Sequence, residues 1–238
     1  MKVSISPSDR VFVLTGAGVS AESGLPTFRA EDGLWAGYRI EDVCTPDAWR
    51  RNPAGVWAFY SARRASGWKA LPNPGHFALA ELEARLGDRF FLCTQNVDDL
   101  HERAGSVRLH HMHGELSKSR CERECGRLPV EDRNIYTSLD EVGRCPCGGR
   151  LRPHIVFFGE MPLEMDRIQE EINRATVMLV VGTSGSVYPA ASFVHWARQN
   201  RARTVYVGPE PPLNASAFSQ IVQGKAGEVM PGLFEVAD

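Results

Sequence analysis

The sequence predicts an α/β fold in which a parallel sheet has helices on both faces and a smaller module lies beside it. Five uninterrupted apolar runs have the length of buried strands: Val11–Leu14, Phe90–Cys93, His154–Phe158, Val177–Val181 and Thr204–Val207. Segments with helical spacing lie between several of these runs. Apolar strands that alternate with helices are typical of a parallel sheet that is covered on both sides.

Three segments between the runs predict helices. Pro74–Leu86 is followed by Gly87, which favours a helix end, and Pro189–Asn200 begins at a proline, which suits a first helical turn. In the third segment, four apolar residues share one helix face through a 3-4-3 spacing: Met165, Ile168, Ile172 and Ala175.

Two stretches interrupt the alternation of strands and helices. Residues 30–71 hold four of the five tryptophans and the pair Asn52-Pro53, which suits the start of a helix over Ala54–Arg64. Residues 117–153 are charged and hold four clustered cysteines. We expect a single domain over 1–238 whose two parts are a large one, about 1–29, 72–116 and 154–238, and a small one, about 30–71 and 117–153.

The composition limits the possible partners and the compartment. A net charge of -2 gives no basic field for nucleic acid, and no apolar run reaches the length of a membrane span. The N-terminus lacks the apolar core of a secretory signal, so we expect a cytoplasmic protein, without a membrane partner and monomeric. In a reducing compartment the six cysteines favour thiols or metal ligation over disulfides.

The segment GAGVSAESGLPTFR, residues 16–29, directly follows the first apolar run. A glycine-rich turn after a strand lets backbone N–H groups approach a diphosphate. The glycines stand at 16, 18 and 24, outside the G-x-G-x-x-G register, which disfavours an ordinary dehydrogenase. A purely structural turn is the alternative.

Polar residues follow two further predicted strands. Gln95, Asn96 and Asp98 offer amides and a carboxylate that could hold a carboxamide and a ribose, although they could also only cap a helix over Asp98–Arg103. The segment GTSGSVYP, residues 182–189, could wrap a diphosphate with amides and hydroxyls, or be a capped strand-to-helix turn.

The segment His110-His111-Met112-His113-Gly114 contains the candidate general base, because histidine exchanges a proton near neutral pH. His113 is favoured since the glycine after it leaves room for a ligand. His110 and His111 are expected at the surface or in hydrogen bonds. A zinc site formed by the three histidines is a weaker hypothesis, because no H-E-x-x-H spacing is present.

Four cysteines form two close pairs, Cys121-x3-Cys125 and Cys145-x-Cys147. Two thiolate pairs suit a tetrahedral zinc ion, and four protein ligands would make it structural. Uncoordinated or redox-active thiols remain the alternative, because neither pair has the usual two-residue gap.

Together these segments resemble the sirtuin family of NAD-dependent protein lysine deacylases. The resemblance runs in order along nearly the whole chain through GAGVSAESGLPTFR at 16–29, TQNVDD at 94–99, HGEL at 113–116, the four cysteines, FFGEMP at 157–162 and GTSGSVYPAASF at 182–193. It implies a Rossmann-like large part, a small module that binds structural Zn²⁺, and NAD in the cleft between them.

The resemblance also implies roles for individual residues. His113 would be the general base, assisted by Asn96 and Asp98 at the nicotinamide. The expected NAD contacts are Gly16, Ala17, Gly18, Ser20, Phe28, Arg29, Gln95, Asn96, Asp98, Gly182, Thr183, Ser184 and Ala226. An acylated peptide would add as a strand, and the expected contacts are Val156, Phe158, Gly159, Glu160 and Val187.

In the implied reaction the acyl oxygen attacks the nicotinamide ribose, nicotinamide leaves, and His113 takes a proton from a ribose hydroxyl. The products are free lysine, nicotinamide and O-acyl-ADP-ribose, and Phe28 would shield the reactive face from water. A mono-ADP-ribosyltransferase that uses the same NAD site and a non-catalytic NAD or ADP-ribose sensor are the alternative functions.

Tyr60 and Arg63 stand three residues apart on a predicted helix, so both face one side. This Tyr-x-x-Arg pair resembles the sirtuin branch that removes succinyl and malonyl groups, since arginine pairs with a terminal carboxylate. Two positions depart from the pattern. Cys44 stands where that branch commonly has alanine, and Gly208 stands where relatives often have asparagine.

Overall fold

The computed structural model describes residues 2–29 and 34–237. In chain order the strands are β1 Val3–Ile5, β2 Val11–Thr15, β3 Phe28–Arg29, β4 Leu34–Trp35, β5 Tyr38–Arg39, β6 Phe90–Thr94, β7 Leu109–His111, β8 Gly114–Cys121, β9 Val130–Glu131, β10 Leu151–Ile155, β11 Val177–Val181, β12 Arg203–Gly208, β13 Gln220–Gln223 and β14 Phe234–Val236. The α-helices are α1 Ile40–Val43, α2 Pro46–Arg51, α3 Pro53–Gly67, α4 Pro74–Leu86, α5 Leu100–Arg103, α6 Met165–Arg174, α7 Phe193–Gln199 and α8 Ala226–Val229.

Six parallel strands form the main sheet in the order β13-β12-β11-β2-β6-β7. Successive residues of β2 alternate between two hydrophobic clusters, because Val11 and Val13 point to one face and Phe12 and Leu14 to the other. Helices α4 and α8 pack in the first cluster, and α6 and α7 pack in the second. The predicted parallel sheet with helices on both faces is therefore confirmed.

A second group of elements lies beside the main sheet. Helices α1–α3 pack in a third hydrophobic cluster, and β8 pairs with both β10 and β9 in an antiparallel sheet. Arg64 on α3 is fully buried and connects the helices to the region around this sheet. Its guanidinium donates hydrogen bonds to the carbonyls of Leu116 and Asn134, and it forms an ion pair with Asp132 at 3.2 Å. The predicted limits of the small module at 116/117 and 153/154 fall inside β8 and β10, and the division into two parts stays a prediction.

Several predicted elements differ from the observed ones. The strand prediction for His154–Phe158 is wrong, because the strand is Leu151–Ile155 and the residues after it form a loop. In this loop Val156 N–H donates to the His113 carbonyl and Phe158 N–H donates to the Cys44 carbonyl, at 2.9 Å each. The predicted helix over Asp98–Arg103 begins only at Leu100, since the Asp98 side chain accepts the Leu100 N–H.

The helix predicted over Pro189–Asn200 is divided. A short 3-10 helix, Ala190–Ser192, precedes α7, Phe193–Gln199. Within 2–29 and 34–237, no helix combines the length and the apolar character needed to cross a bilayer.

Two loops meet at the carboxyl edge of the main sheet with almost no space between their backbones. Gly18 N–H donates to the Gly182 carbonyl at 2.9 Å. A Cβ atom on Gly18 would lie 2.7 Å from the Gly182 Cα and 2.8 Å from its carbonyl oxygen. Gly182 itself has a φ of +64°, in the region that glycine adopts most readily. The two loops can pack this closely only because both positions lack side chains.

Replacing Gly18 with alanine is expected to lower the free energy of unfolding by about 1–3 kcal/mol, because the methyl group would force the two loops apart. Urea unfolding measures the change. Gly143→Ala is the matched control, since a Cβ there would meet nothing closer than Leu151 at 3.8 Å. Equal stability of the two variants would contradict the close-packing argument.

Candidate active site

Three strand-end loops border one cleft at the carboxyl edge of the sheet. They follow β2, β6 and β11, which are adjacent in the order β11-β2-β6, so residues 16–18, 95–98 and 182–186 lie side by side. The cleft has a volume of about 780 Å³. Its walls include most of the predicted site residues: Gly16, Ala17, Gly18, Ser20, Arg63, Gln95, Asn96, Asp98, His113, Val156, Phe158, Gly159, Glu160, Gly182, Thr183, Ser184 and Val187.

A buried hydrogen-bond network lies under the Asn96 loop. The Asn96 amide donates to the Ser20 hydroxyl at 3.1 Å, and that hydroxyl donates to the Asp98 carboxylate at 3.1 Å. Burial raises the pKa of Asp98 to about 6, although the Leu100 N–H and the Ser20 hydroxyl favour its charged form. The network therefore fixes an amide donor and a carboxylate side by side at the cleft wall.

Two histidines of this network were not found from the sequence. His76 Nδ1 accepts the Asn73 N–H at 3.3 Å, which leaves Nε2–H facing the Ser20 hydroxyl at 3.4 Å. His101 lies against His76 and contacts the Thr15 hydroxyl at 3.0 Å. Burial lowers the pKa of His76 to about 4, so its ring is neutral at physiological pH. The available signal was the Asn73-Pro74 helix start, which places His76 at the third helical position as part of a capping box.

His113 lies in the cleft wall in a form suited to accept a proton. Its Nδ1 is 3.1 Å from the Gln95 carbonyl oxygen, which can only accept a hydrogen bond. The neutral ring therefore carries its proton on Nδ1 and its lone pair on Nε2. Burial lowers the pKa of His113 to about 4, against the opposing effect of the Gln95 contact. The ring is therefore neutral, with Nε2 unprotonated, throughout the neutral pH range.

Of the predicted pair Tyr60 and Arg63, only Arg63 lines the cleft. Arg63 lines the cleft, with its guanidinium carbon 5.2 Å from the centre of the Phe59 ring, and its Nη1 is buried without a hydrogen-bond partner among the described residues. Tyr60 is fully buried outside the cleft wall, and its hydroxyl donates to the Cys44 sulfur at 3.0 Å. Cys44 does line the cleft, and it lies between the Tyr60 hydroxyl and the cleft.

Glu160 lines the cleft, but its carboxylate is already used inside the protein. It accepts hydrogen bonds from Arg120 at 2.9 Å, from Arg152 at 2.7 and 3.0 Å, and from the Phe157 N–H at 2.8 Å. Its side chain therefore braces the loop 156–160 against β8 and β10.

The remaining predicted NAD contacts lie away from the cleft or have side chains outside the described residues. Ala226 does not line the cleft, because it is buried in the cluster that contains α4 and α8. The side chains of Phe28 and Arg29 lie outside the described residues, so their expected NAD contacts stay predictions. At Gly208, the Tyr206 ring fills the position of a side chain, and its hydroxyl donates to the Thr183 carbonyl at 3.0 Å.

Known proteins share this architecture and sequence. A model of the Sir2 family matches residues 16–189. This chain belongs to the Sir2 family. It is 50% identical over 224 residues to an NAD-dependent protein deacylase of Salmonella typhimurium, covering 93% of this chain and 81% of that relative.

Solved structures of Sir2 proteins agree with this assignment. The crystal structure of a Sir2 homolog–NAD complex has a TM-score of 0.86 at 43% identity, covering 95% of this sirtuin and 89% of that chain. A Sir2–p53 peptide–NAD+ complex has a TM-score of 0.80 at 28% identity, covering 94% and 91%. The sequence resemblance to the sirtuins is confirmed.

The four clustered cysteines of this sirtuin fit a zinc ion. Their sulfur atoms all lie within 4.8 Å of one another, with Cys121–Cys147 and Cys125–Cys145 at 3.5 Å. Tetrahedral Zn–S bonds of about 2.3 Å require sulfur atoms about 3.8 Å apart. The unusual spacing is accommodated because Cys121 ends β8 and the turn 145–149, held by a Cys145 N–H bond to the Gly149 carbonyl, brings the second pair to it.

Cys147→Ala is expected to abolish stoichiometric zinc and lower Tm by more than about 5 °C, because metal binding at such a site adds to folding stability. Metal analysis and thermal unfolding measure both effects. Cys93→Ala, which removes a buried thiol outside the cluster, is expected to keep its zinc. A Cys147→Ala protein that retains a full zinc equivalent would refute the assigned ligand set.

Proposed function

We propose that this sirtuin removes acyl groups from lysine side chains of proteins with NAD as co-substrate, and that it releases nicotinamide and O-acyl-ADP-ribose. The carrying observation is that His113, Asn96 and Asp98 share one cleft with the glycine loops at 16–18 and 182–185. Glycine-rich loops at strand ends suit a diphosphate, while the amide of Asn96 and the carboxylate of Asp98 suit a carboxamide and its ring.

The chemistry assigned to the protein is binding, orientation and one proton transfer. Asn96 and Asp98 hold the nicotinamide end, and they are oriented through Ser20. The His113 ring is neutral and fixed by the Gln95 carbonyl, so its Nε2 can take a proton from a ribose hydroxyl. The acylated peptide lies along residues 156–160 and 186–188, where the Glu160 ion pairs support the loop.

Acyl selectivity is assigned to Arg63. A guanidinium nitrogen that is buried in a cleft wall, with no partner in the part of the chain that the structure describes, favours an anionic ligand, because pairing removes an unsatisfied donor. A terminal carboxylate on a succinyl or malonyl group provides that partner. Tyr60 contributes indirectly in this proposal, by holding the Cys44 thiol at the end of the acyl space.

The proposal also covers the metal, the substrates, the cellular compartment and the oligomeric state. The Cys121, Cys125, Cys145 and Cys147 cluster holds one structural zinc, and the substrates are acylated proteins without a nucleic-acid partner. We propose a cytoplasmic monomer. We also propose the two-part organisation predicted from the sequence, in which α3 of the small part forms the acyl end of the cleft.

Incubation of acetyl, succinyl and unmodified versions of one peptide with NAD tests the function directly. Mass spectrometry should record loss of the acyl mass together with one nicotinamide per lysine freed. Addition of an ADP-ribose mass to protein would favour the transferase alternative. NAD binding without any turnover would favour the sensor.

His113→Ala is expected to lower kcat by about 10²- to 10⁴-fold, because the general base is lost. Tm should stay near that of the wild type, because the ring is only half-buried and its contact with the Gln95 carbonyl is the one side-chain hydrogen bond shown for it among the described residues. Nicotinamide release and thermal unfolding are the measurements. His195→Ala, an exposed position on α7, is the matched control. Wild-type turnover in the His113 variant would remove it as the base.

Arg63→Met is expected to lower kcat/KM for the succinyl peptide roughly tenfold to a hundredfold more than for the acetyl peptide, because a charged hydrogen bond is lost. Steady-state kinetics on both peptides measure the ratio. Arg50→Met, at an exposed position of α2, serves as the control. An equal loss on both peptides would exclude Arg63 from acyl recognition.

A further inference from the structure

His111 is held between two groups that can only accept hydrogen bonds. Its Nδ1 lies 2.9 Å from the Asn96 carbonyl oxygen, and its Nε2 lies 2.8 Å from a carboxylate oxygen of Glu102. A neutral imidazole carries one N–H group and can satisfy only one of these acceptors. Both contacts are made together when the ring is an imidazolium. The geometry therefore specifies the charged form of a side chain that is only 8% exposed.

The surroundings of His111 stabilise this positive charge. Burial alone would lower the pKa of His111, but the hydrogen bond and charge of Glu102, the Asn96 carbonyl and the charge of Glu115 outweigh it and raise the pKa. Glu102 comes from α5 and Glu115 from β8, where Lys118 pairs with Glu115 at 2.8 Å. The positive charge of His111 and the negative charge of Asp98 attract each other. Burial lowers the pKa values of the neighbouring His101 and His110, and repulsion by the same positive charge lowers them further.

The His111 ring acts on the cleft through the Asn96 backbone. The ring does not line the cleft itself. The Asn96 N–H donates to the Thr94 hydroxyl at 3.0 Å, so His111 and Thr94 hold residue 96 from both sides. The Asn96 side chain then reaches Ser20, and Ser20 reaches Asp98. Loss of the His111 contact would free the carbonyl end of the residue that presents the amide.

We propose that His111, as an imidazolium held by Glu102, is a positioning residue that fixes the Asn96–Asp98 loop for binding of the nicotinamide end of NAD. The identity of this ligand rests on the proposed function, whereas the double hydrogen bond of the ring does not. When His111 loses its proton, one of its two contacts must break and the loop loosens. NAD use therefore falls as the pH rises through the raised pKa of His111, and it is fully supported below it.

The first test is spectroscopic and needs no turnover. Nitrogen chemical shifts of the His111 ring should report two N–H groups at neutral pH in the wild-type protein. In Glu102→Gln the ring should lose its second proton at lower pH, because the neighbouring negative charge is gone. A singly protonated His111 at neutral pH in the wild type would overturn the proposal, whether or not the protein deacylates peptides.

The second test compares pH profiles of NAD affinity and of kcat/KM for NAD. Glu102→Gln should shift the alkaline fall of both to lower pH and lower kcat/KM by about tenfold at alkaline pH. KM for the acyl peptide should stay unchanged. His111→Gln, a donor that does not titrate, should remove this fall, whereas His110→Gln, which contacts Leu163 instead of Asn96, should match the wild type.

A Glu102→Gln profile that superimposes on the wild type would refute the positioning role. So would an equal change in KM for both substrates, since that points to general loosening of the structure. If no acyl peptide is turned over by any variant, the proposed function fails. The NAD-affinity profile and the ring spectra would still decide the role of His111.

Discussion

The contact between the Gly18 N–H and the Gly182 carbonyl joins the loops that follow two neighbouring strands of the main sheet. Because β11, β2 and β6 are adjacent and parallel, their carboxyl ends bring three loops to one edge. The two glycines let the loops after β2 and β11 touch, and the loop with Asn96, which follows β6 on the other side of β2, borders the same cleft. The positions of the proposed cofactor contacts at 16–18 and 182–184 depend on this packing.

The polar groups around the cleft favour one protonation state for each of three histidines, His76, His111 and His113. His76 and His113 are neutral because burial outweighs the effect of their backbone partners. His111 is charged because a carboxylate and a carbonyl both accept from it. The same side chain thus serves as a neutral donor, a base and a cation within one site, and the neighbouring acceptor decides which.

Much of the fold could be predicted from the sequence because four buried strands read as continuous apolar runs. The strands at 11–15, 90–94, 177–181 and 203–208 match these runs closely. The prediction for His154–Phe158 was wrong because the antiparallel pairing of β10 with β8 ends at Ile155, and this pairing depends on residues thirty or more positions away. Local apolar character could not reveal where that partner stops.

The site was predicted unevenly for the same reason. Glycines and polar residues at strand ends are visible in the sequence, so the loops at 16–18, 95–98 and 182–184 were found. Helical spacing placed Tyr60 and Arg63 on one face but could not reveal that Cys44 lies between Tyr60 and the cleft. Nor could the sequence distinguish His111 from His110, because only the folded chain brings Glu102 and the Asn96 carbonyl to the first of them.

Glu160 ties the loop 156–160 to the sheet that carries Cys121. Arg120 belongs to β8, which ends at Cys121, and Arg152 belongs to β10. The segments that carry the cysteines are thus linked through Glu160 to the proposed peptide site, even though no cysteine of the cluster lines the cleft. A chimera that exchanges these hairpins with those of a relative would have to carry both arginines along, or the transplanted segment would leave the loop without its anchor.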